Sequence, residues 1–535
     1  MSGPAAHPFH DPEPIPVPAA PPPRWWRRRR TIAAACAGAV LLGYGLYFTL
    51  GDTWGTYAYA FERCANGIWE RGPDECVGVS DGSYAFGNLG DISGLIAKEN
   101  ERVTRGAVPY VTVALLIPMT TDETDLNRKA AVEAQIRHEV QGAYLAQRRM
   151  NAGEEQGAPA VRLVLANPGQ GSRHYAEVSK DLADMADSKD ALRAVVGFDI
   201  SEENTRKAIT HLTKDLGIPV VGGPITSSDL AMPGLARVVP SNEGQANVLA
   251  SLVGAHAMLV EDKRPGDTYV ATLRDAFNKQ RPKDALESQA YTSSGSSQDD
   301  PSLAGDFEDI AQNICQAAAK DIYFAGRPPQ LRMLVEALGS KVCDATGSRF
   351  RVITGSGAST VDSYVDKDRL DDWRRALSRV TVEYAAVGHP DAWTRTKAPE
   401  AADSRREALA LEQEATKQLG LKKADLDDSR LMTIYDATRL AVTNIRHQAK
   451  GGTGGVRIPR LDEVFSGWQQ LKSANKVLGA TGWICLDNQG NPYDKAVALV
   501  RLDPAWTGDN KLRFDHVAWP TGTPLTATCT AKRQD

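Results

Sequence analysis

From residue 108 onward the chain alternates short apolar runs with longer stretches whose apolar residues recur at helical spacing. The run "YVTVALLIPMT" predicts a strand. The stretch "DLNRKAAVEAQIRHEVQGAYLAQRRM" predicts a helix, because Ala131, Ile136, Val140 and Leu145 fall near one face. "AVRLVLA", "ALRAVVGF" and "IPVVGG" read as three further strands, with helices over "HYAEVSKDLADMA" and "SEENTRKAITHLTKDLG" between them. Ser201, Glu202 and Asn204 suit the start of that last helix, and Gly217 with Pro219 its end. Alternation at this pitch is the pattern of βαβ units, so a parallel sheet covered by helices is expected. A second set follows "LARVVPSNEGQANVLASLVGAHAML": strands over "TYVATL", "DIYFAG" and "RFRVITGS", helices over "FEDIAQNICQAAA" and "PPQLRMLVEALG". Two α/β halves in tandem are therefore predicted. The polar "QAYTSSGSSQDDPSLAGD" reads as a surface loop, "ADSRREALALEQEATKQLG" as a solvated surface helix and "KGGTGGVRIPR" as a flexible connection.

The residues before 108 have a different texture. Prolines at 4, 8, 12, 14, 16, 18 and 21–23 exclude a packed fold and predict an extended polyproline-like tail. "RWWRRRR" then precedes Thr31–Leu50, "TIAAACAGAVLLGYGLYFTL", which carries no charge. At about 1.5 Å per residue this run makes roughly 30 Å of helix, enough to cross a bilayer. Arg24 and Arg27 to Arg30 on its amino side, against Asp52 and Glu62 beyond it, place the amino terminus in the cytoplasm and the main body outside the cell membrane. A cleaved signal peptide is the competing reading, but the run is long for one and no small-x-small site follows it. Cys36 makes a poor lipoprotein box, since the apolar stretch follows the cysteine. The expected organisation is a basic Pro-rich cytoplasmic tail over 1–30, a single transmembrane helix over 31–50 and a Cys-containing juxtamembrane spacer over 51–107, ending in the helical "LGDISGLIAKENERV".

Composition narrows the classes. A chain of 535 residues, 42% of them hydrophobic, exceeds one compact core and implies two or more domains. Its 62 basic and 67 acidic residues leave a net charge of −5 with one block of like charge, which gives nucleic-acid binding little electrostatic support. Apart from Cys36, six cysteines remain, in a compartment that permits disulfides. Six allow fifteen connectivities, and pairing of sequence neighbours is expected: Cys64 with Cys76, Cys315 with Cys343, Cys485 with Cys529. None has the C-x-x-C spacing of a zinc site. Catalytic motifs are missing as well: His138 and Glu139 lack the second histidine of H-E-x-x-H, and no G-x-S-x-G elbow or phosphate-binding G-x-x-x-x-G-K-[ST] loop occurs. A binding role is expected rather than an enzyme.

"VVGFDISEEN", "IPVVGGPITSSDL", "ARVVPSNEGQANVLASLV", "DIYFAGRPPQLRMLVEAL", "SRLMTIYDATRLAVTNI" and "GWICLDNQGNPYDKAVALVRL" follow one another over roughly residues 108–510. Their order and spacing resemble the type I periplasmic binding proteins of the branched-chain amino-acid binding class. The resemblance implies two α/β lobes, each a mostly parallel sheet flanked by helices, joined by three crossovers and closing on a small ligand. Lobe 1 would take residues 108–240 with 391–477, and lobe 2 residues 241–390 with 478–535. It also implies ligand contacts from Ser201, at the first turn of a helix, and from Thr226, at a strand's carboxyl edge. A helix amino terminus offers unpaired N–H groups that, with a hydroxyl, hold a carboxylate. The carbonyls of Pro224 and Ile225 would accept from an ammonium. The plain alternatives are a helix cap for Ser201 and a turn residue for Thr226. Where amino-acid binders of the family place an aromatic and an acid on lobe 2, this chain has Arg327 and Ser356. Both changes remove affinity for a cation, and Arg327 would bring a forked donor suited to an anion, unless it serves a salt bridge. A small polar or anionic ligand is therefore expected, with no cofactor or metal. An ABC permease or a cytoplasmic signalling protein would be the partner. The alternative is a cell-surface interaction protein that keeps the fold without a ligand.

Overall fold

The computed structural model describes residues 63–73, 75–152, 157–295, 300–340, 349–450, 456–524 and 529. The expected tail over 1–30, the expected membrane helix over 31–50 and Cys343 lie outside the described residues. Among the described residues no helix is long and apolar enough to cross a membrane.

The first sheet comprises β1 (Arg63–Ala65), β2 (Ile68–Gly72), β3 (Glu75–Ser80), β4 (Tyr110–Leu116), β5 (Ala160–Asn167), β6 (Leu192–Gly197), β7 (Val220–Gly222) and β8 (Leu235–Arg237), in the spatial order 1-2-3-5-4-6-7-8. Strands β4 to β8 pair in parallel, and β1 to β3 add an antiparallel meander along β5. The second sheet comprises β9 (Met258–Asp262), β10 (Gln289–Tyr291), β11 (Asp321–Ala325), β12 (Phe350–Thr354) and β13 (Val380–Ala386). After a separate hairpin of β14 (Val477–Gly479) and β15 (Gly482–Ile484), it is completed by β16 (Val497–Thr507) and β17 (Asn510–Ala518), giving the order 10-9-11-12-13-16-17. The parallel part of each sheet has the same winding, second strand outside the first and the next three beyond it. The strand order reverses between β4 and β6 in one lobe and between β9 and β11 in the other, and such switch points open a crevice at the strands' carboxyl ends.

Helices α1 (Gly90–Thr104), α2 (Leu126–Asn151), α3 (Tyr175–Ala186) and α4 (Glu203–Thr210) serve the first lobe. Helices α5 (Asn242–Leu249), α6 (Thr268–Gln280), α7 (Ala304–Gln316), α8 (Pro328–Ser340) and α9 (Leu370–Leu377) serve the second. Then α10 (Ala402–Leu419) and α11 (Arg430–Ala449) return to the first. Because side chains alternate along a strand, each sheet feeds two cores. On β4, Val111, Val113 and Leu115 join α2 and α11 in one core, while Ala114 and Leu116 join α3 and α4 in the other. On β11, Ile322 and Phe324 face α7 and α8, and Tyr323 and Ala325 face α6. Helices α2 and α11 cross closely at Gly142, where a Cβ would lie 2.3 Å from the Leu431 carbonyl oxygen.

Four expectations are corrected. From Arg63 on, the supposed spacer belongs to the first lobe: β3 extends its sheet, Cys64–Cys76 staples the meander, and Ile92 and Ile96 of α1 enter its core. "TYVATL", read as a strand from its β-branched residues, is the start of α6, because Asp267 accepts from the Val270 N–H and caps a helix there. The strand of that unit is β9, which begins two positions after His256. Helix α10 is only partly solvated: Leu411 and Ala415 are in the first core, and buried Glu407 accepts from Arg149 and the Tyr435 hydroxyl. The chain passes between the sheets three times, after β8, β13 and β15. Residues 477–486 pack on the first lobe, so the third passage begins after them instead of at 478. Cys485 is bonded to Cys529, and Cys315 is also disulfide-bonded.

Candidate functional site

The carboxyl ends of the two parallel sheets face each other, and the segments after β6 and β7 of the first lobe meet those after β9, β11 and β12 of the second. A cavity of about 60 Å³ sits there, lined by Ser201, Pro224, Thr226, Arg327 and Ser356 among others. Five of the six residues expected to touch a ligand are thus brought together. Ile225, expected to contribute its carbonyl, is not among the lining residues, and its side chain packs into the first-lobe core with Leu230. Typical ligand pockets occupy about 300–1,000 Å³, so this one holds no leucine-sized molecule in the conformation seen.

What fills the site is direct bonding between the lobes. The Ser201 carbonyl accepts from the Tyr269 N–H at 3.2 Å and from Arg327 Nη2 at 3.1 Å. The Glu203 N–H donates to the Gly266 carbonyl at 3.1 Å, and Ser227 Oγ donates to the Thr268 carbonyl at 3.0 Å. Arg327 grips Asp267 with Nε and Nη2, both at 2.8 Å, above the Tyr269 ring at 4.6 Å. Burial opposes the charge on Arg327, but Asp267 outweighs it and raises its pKa. Burial likewise opposes the charge on Asp267, yet Arg327 and the Val270 N–H hold its carboxyl below the usual range. Of the two roles open to Arg327, donor for an anion or salt-bridge partner, the structure shows the second: it pairs with Asp267 inside the second lobe, and Nη2 also reaches the first lobe at the Ser201 carbonyl. Nor does Ser201 cap α4: its Oγ accepts from the Ser227 N–H at 3.3 Å. The Thr226 carbonyl accepts from the Asn242 N–H, and the Ser356 N–H donates to Gln245.

Beside this cavity lies a larger chamber of about 210 Å³, sharing Asp199, Arg327 and Arg430 with it. It opens off the switch point of the first sheet. The spacing of Val132, Gln135, Ile136 and Glu139 on α2 puts all four on one face, toward the chamber. Arg430, at the start of α11, donates to Glu139 Oε1 at 2.7 Å and also pairs with Asp199. Burial pushes the Glu139 carboxyl up to about 7 even though Arg430 pulls it down. Next to it on α2, His138 Nδ1 pairs with Asp428 at 2.6 Å. Burial disfavours the imidazolium of His138, but Asp428 prevails and its pKa is raised.

Sequence reasoning missed Asp267, Tyr269, Glu139 and Arg430. The first was legible as a helix cap in "PGDTYV". Glu139 and Arg430 are ionic residues on faces that periodicity assigns to cores, and nothing local marks their pairing across the fold. Among the described residues no group of three or more His, Cys, Asp or Glu is placed to hold a metal ion.

No family model and no curated protein matches the chain. Solved structures match it in fold. The leucine-binding protein LivK of Thermotoga maritima aligns with a TM-score of 0.53 at 16% identity, over 76% of this chain and 98% of its own. The branched-chain amino acid transporter substrate-binding protein LivJ of Streptococcus pneumoniae, in complex with isoleucine, aligns at 0.53 and 13%, over 77% and 100%. An ABC transporter solute-binding protein of R. palustris, in complex with 4-hydroxybenzoate, aligns at 0.51 and 16%, over 76% and 95%. The fold shared with these proteins is the two-lobed fold of type I periplasmic binding proteins.

Proposed function

We propose that the chain is an extracytoplasmic solute-binding protein, held at the membrane by Thr31–Leu50, whose two lobes close on one small polar molecule. The reading rests on one observation: cavities at the carboxyl ends of both parallel sheets are lined from both lobes, where open α/β sheets bind ligands, and three crossovers connect the lobes. Closing contacts such as Arg327 to Ser201 exist only when the lobes meet, so a ligand that adds contacts from both sides shifts the balance toward closure. Delivery to an ABC-type permease is the role this implies, and a cytoplasmic tail also suits a sensor that reports across the membrane. The direct test is thermal unfolding of the purified full-length chain with pooled metabolites. A ligand at a hundred times its dissociation constant adds about 2.7 kcal/mol and raises the midpoint. No shift with any pool contradicts the proposal.

A second reading has an observation of its own. The cavity beside Ser201 and Thr226 holds only about 60 Å³ and is crossed by lobe-to-lobe bonds, as expected of a surface protein that keeps the fold and works through protein contacts. That reading predicts no metabolite response. External protease on intact cells tests the anchoring: a small membrane-held amino-terminal fragment is expected, and a mature protein beginning after residue 50 contradicts it.

A further inference from the structure

The two cavities differ in what they leave unsatisfied. Around Ser201 and Thr226 the groups that would cradle a carboxylate are engaged, with the Ser227 N–H on Ser201 Oγ and Arg327 on Asp267. The chamber of about 210 Å³ is different. Four carboxylates, Asp122, Glu139, Asp199 and Glu202, line it against two guanidiniums, Arg327 and Arg430. Arg327 is already matched by Asp267, Glu202 pairs with Arg264, and Arg430 is shared between Glu139 and Asp199, while Asp122 adds a further carboxylate. Negative charge is therefore in excess. Glu139 is 1% exposed, and its Oε2 has no hydrogen-bond partner among the described residues, although Oε1 accepts from Arg430. A buried carboxylate oxygen left unpaired is costly, and such groups in native folds call for a donor.

We propose that this chamber is the ligand subsite and that it takes a small molecule carrying a protonated nitrogen, an ammonium or guanidinium, which donates to Glu139 Oε2. The inference rests on the solute-binding reading above and specifies its ligand class. It reverses the expectation of an anion: selectivity comes from a carboxylate on α2 of the first lobe, and the ligand requires no carboxylate of its own. The chamber's volume restricts it to a compact amine or guanidine. Arg430 has a positioning role, holding Glu139 Oε1 so that Oε2 remains for the ligand.

The test is calorimetric titration of the purified full-length chain with three sets of probes. These are cations (ethanolamine, putrescine, agmatine, methylguanidine), carboxylate-bearing molecules (leucine, isoleucine, 4-hydroxybenzoate) and uncharged polyols. Binding of a cation, weakened about tenfold or more by Glu139→Gln and less by Glu139→Asp, is the expected result. Affinity of the unmodified chain should also fall as pH drops below 7, as Glu139 takes up a proton; Arg430, Asp428, Asp199 and His138 face that carboxyl from the surrounding segments. This pH profile keeps the test decisive if Glu139→Gln does not fold. Binding by carboxylate-bearing or uncharged probes alone overturns the ligand class while the solute-binding reading stands. Cation affinity unchanged in Glu139→Gln, or flat with pH, overturns the subsite. No binding by any probe in the three sets overturns the inference, and if the metabolite pools also leave the unfolding midpoint unmoved, the solute-binding reading falls with it.

Discussion

Replacing Asp267 by Ala should destabilise the protein more than removing Arg327, the residue it pairs with. Arg327 is 7% exposed, and both of its bonds to Asp267 are 2.8 Å long. Without the carboxylate, a buried guanidinium keeps only the Ser201 carbonyl and the Tyr269 ring. Breaking a buried pair from one side costs about 3–5 kcal/mol. Loss of the cap on Val270 adds about 1 kcal/mol. Arg327→Met removes the charge together with its demand for a counter-ion, and Asp267 keeps Arg264 and the Val270 N–H. That change should cost about 1–3 kcal/mol. The double variant no longer buries an unpaired cation, so it should regain about 2 kcal/mol relative to Asp267→Ala alone. Urea unfolding of the full-length chains, followed by tryptophan fluorescence, supplies the midpoints, with equal slopes as the check on comparability. Strictly additive losses would refute the assignment of Arg327 and Asp267 as a coupled buried pair.

Other residues give sharper single outcomes. Asp427 is pushed up to about 8, by burial first and then by Asp391 and Asp428. The unfolded chain releases this proton near the ordinary value of 3.8, so the native state holds the extra proton between there and about pH 8, and stability contributed by this group falls as pH rises through that window. Asp427→Asn should flatten the decline of the unfolding midpoint between pH 5 and 8; an unchanged slope counts against it. At Gly142 the added methyl of Gly142→Ala meets the Leu431 carbonyl, so the substitution should cost about 1–3 kcal/mol, although Ala favours helix elsewhere. A neutral or stabilising effect there would mean that α2 and α11 do not cross as closely as described. Non-reducing digestion should return the Cys64–Cys76 and Cys485–Cys529 peptides as linked species, and free thiols at these positions would contradict the pairing.

Most of the parallel framework was legible because its strands are apolar on both faces. "YVTVALL", "AVRLVLA" and "DIYFA" became β4, β5 and β11 with little displacement. Where local pattern and tertiary context disagreed, the pattern failed. "TYVATL" has strand composition but starts behind a capping aspartate and continues amphipathically as α6. The meander β1 to β3 is short and rich in Gly and charge, so its membership in the first sheet depends on pairing with β5, which is remote in sequence. The site was half legible. Family order placed Ser201, Thr226, Arg327 and Ser356 around one cavity, but the state of Arg327 depends on Asp267, sixty residues away. Glu139 sits on a helix face that reads as core, and its pairing with Arg430 spans nearly three hundred residues.

If the lobes close on a small molecule, the distance between them must change when it binds. Lys129 on α2 and Lys367 of the second lobe are both exposed, and Lys367 lines a cavity together with Asp125, Asn127 and Arg128 at the start of α2, so spin labels at the two positions report the separation of the lobes. After bound material is stripped from the full-length chain by mild denaturant and dialysis, double electron–electron resonance should show a broad distribution of distances. Adding the small-molecule fraction of a cell extract should narrow and shorten it. Superimposable distributions with and without the extract would contradict the account.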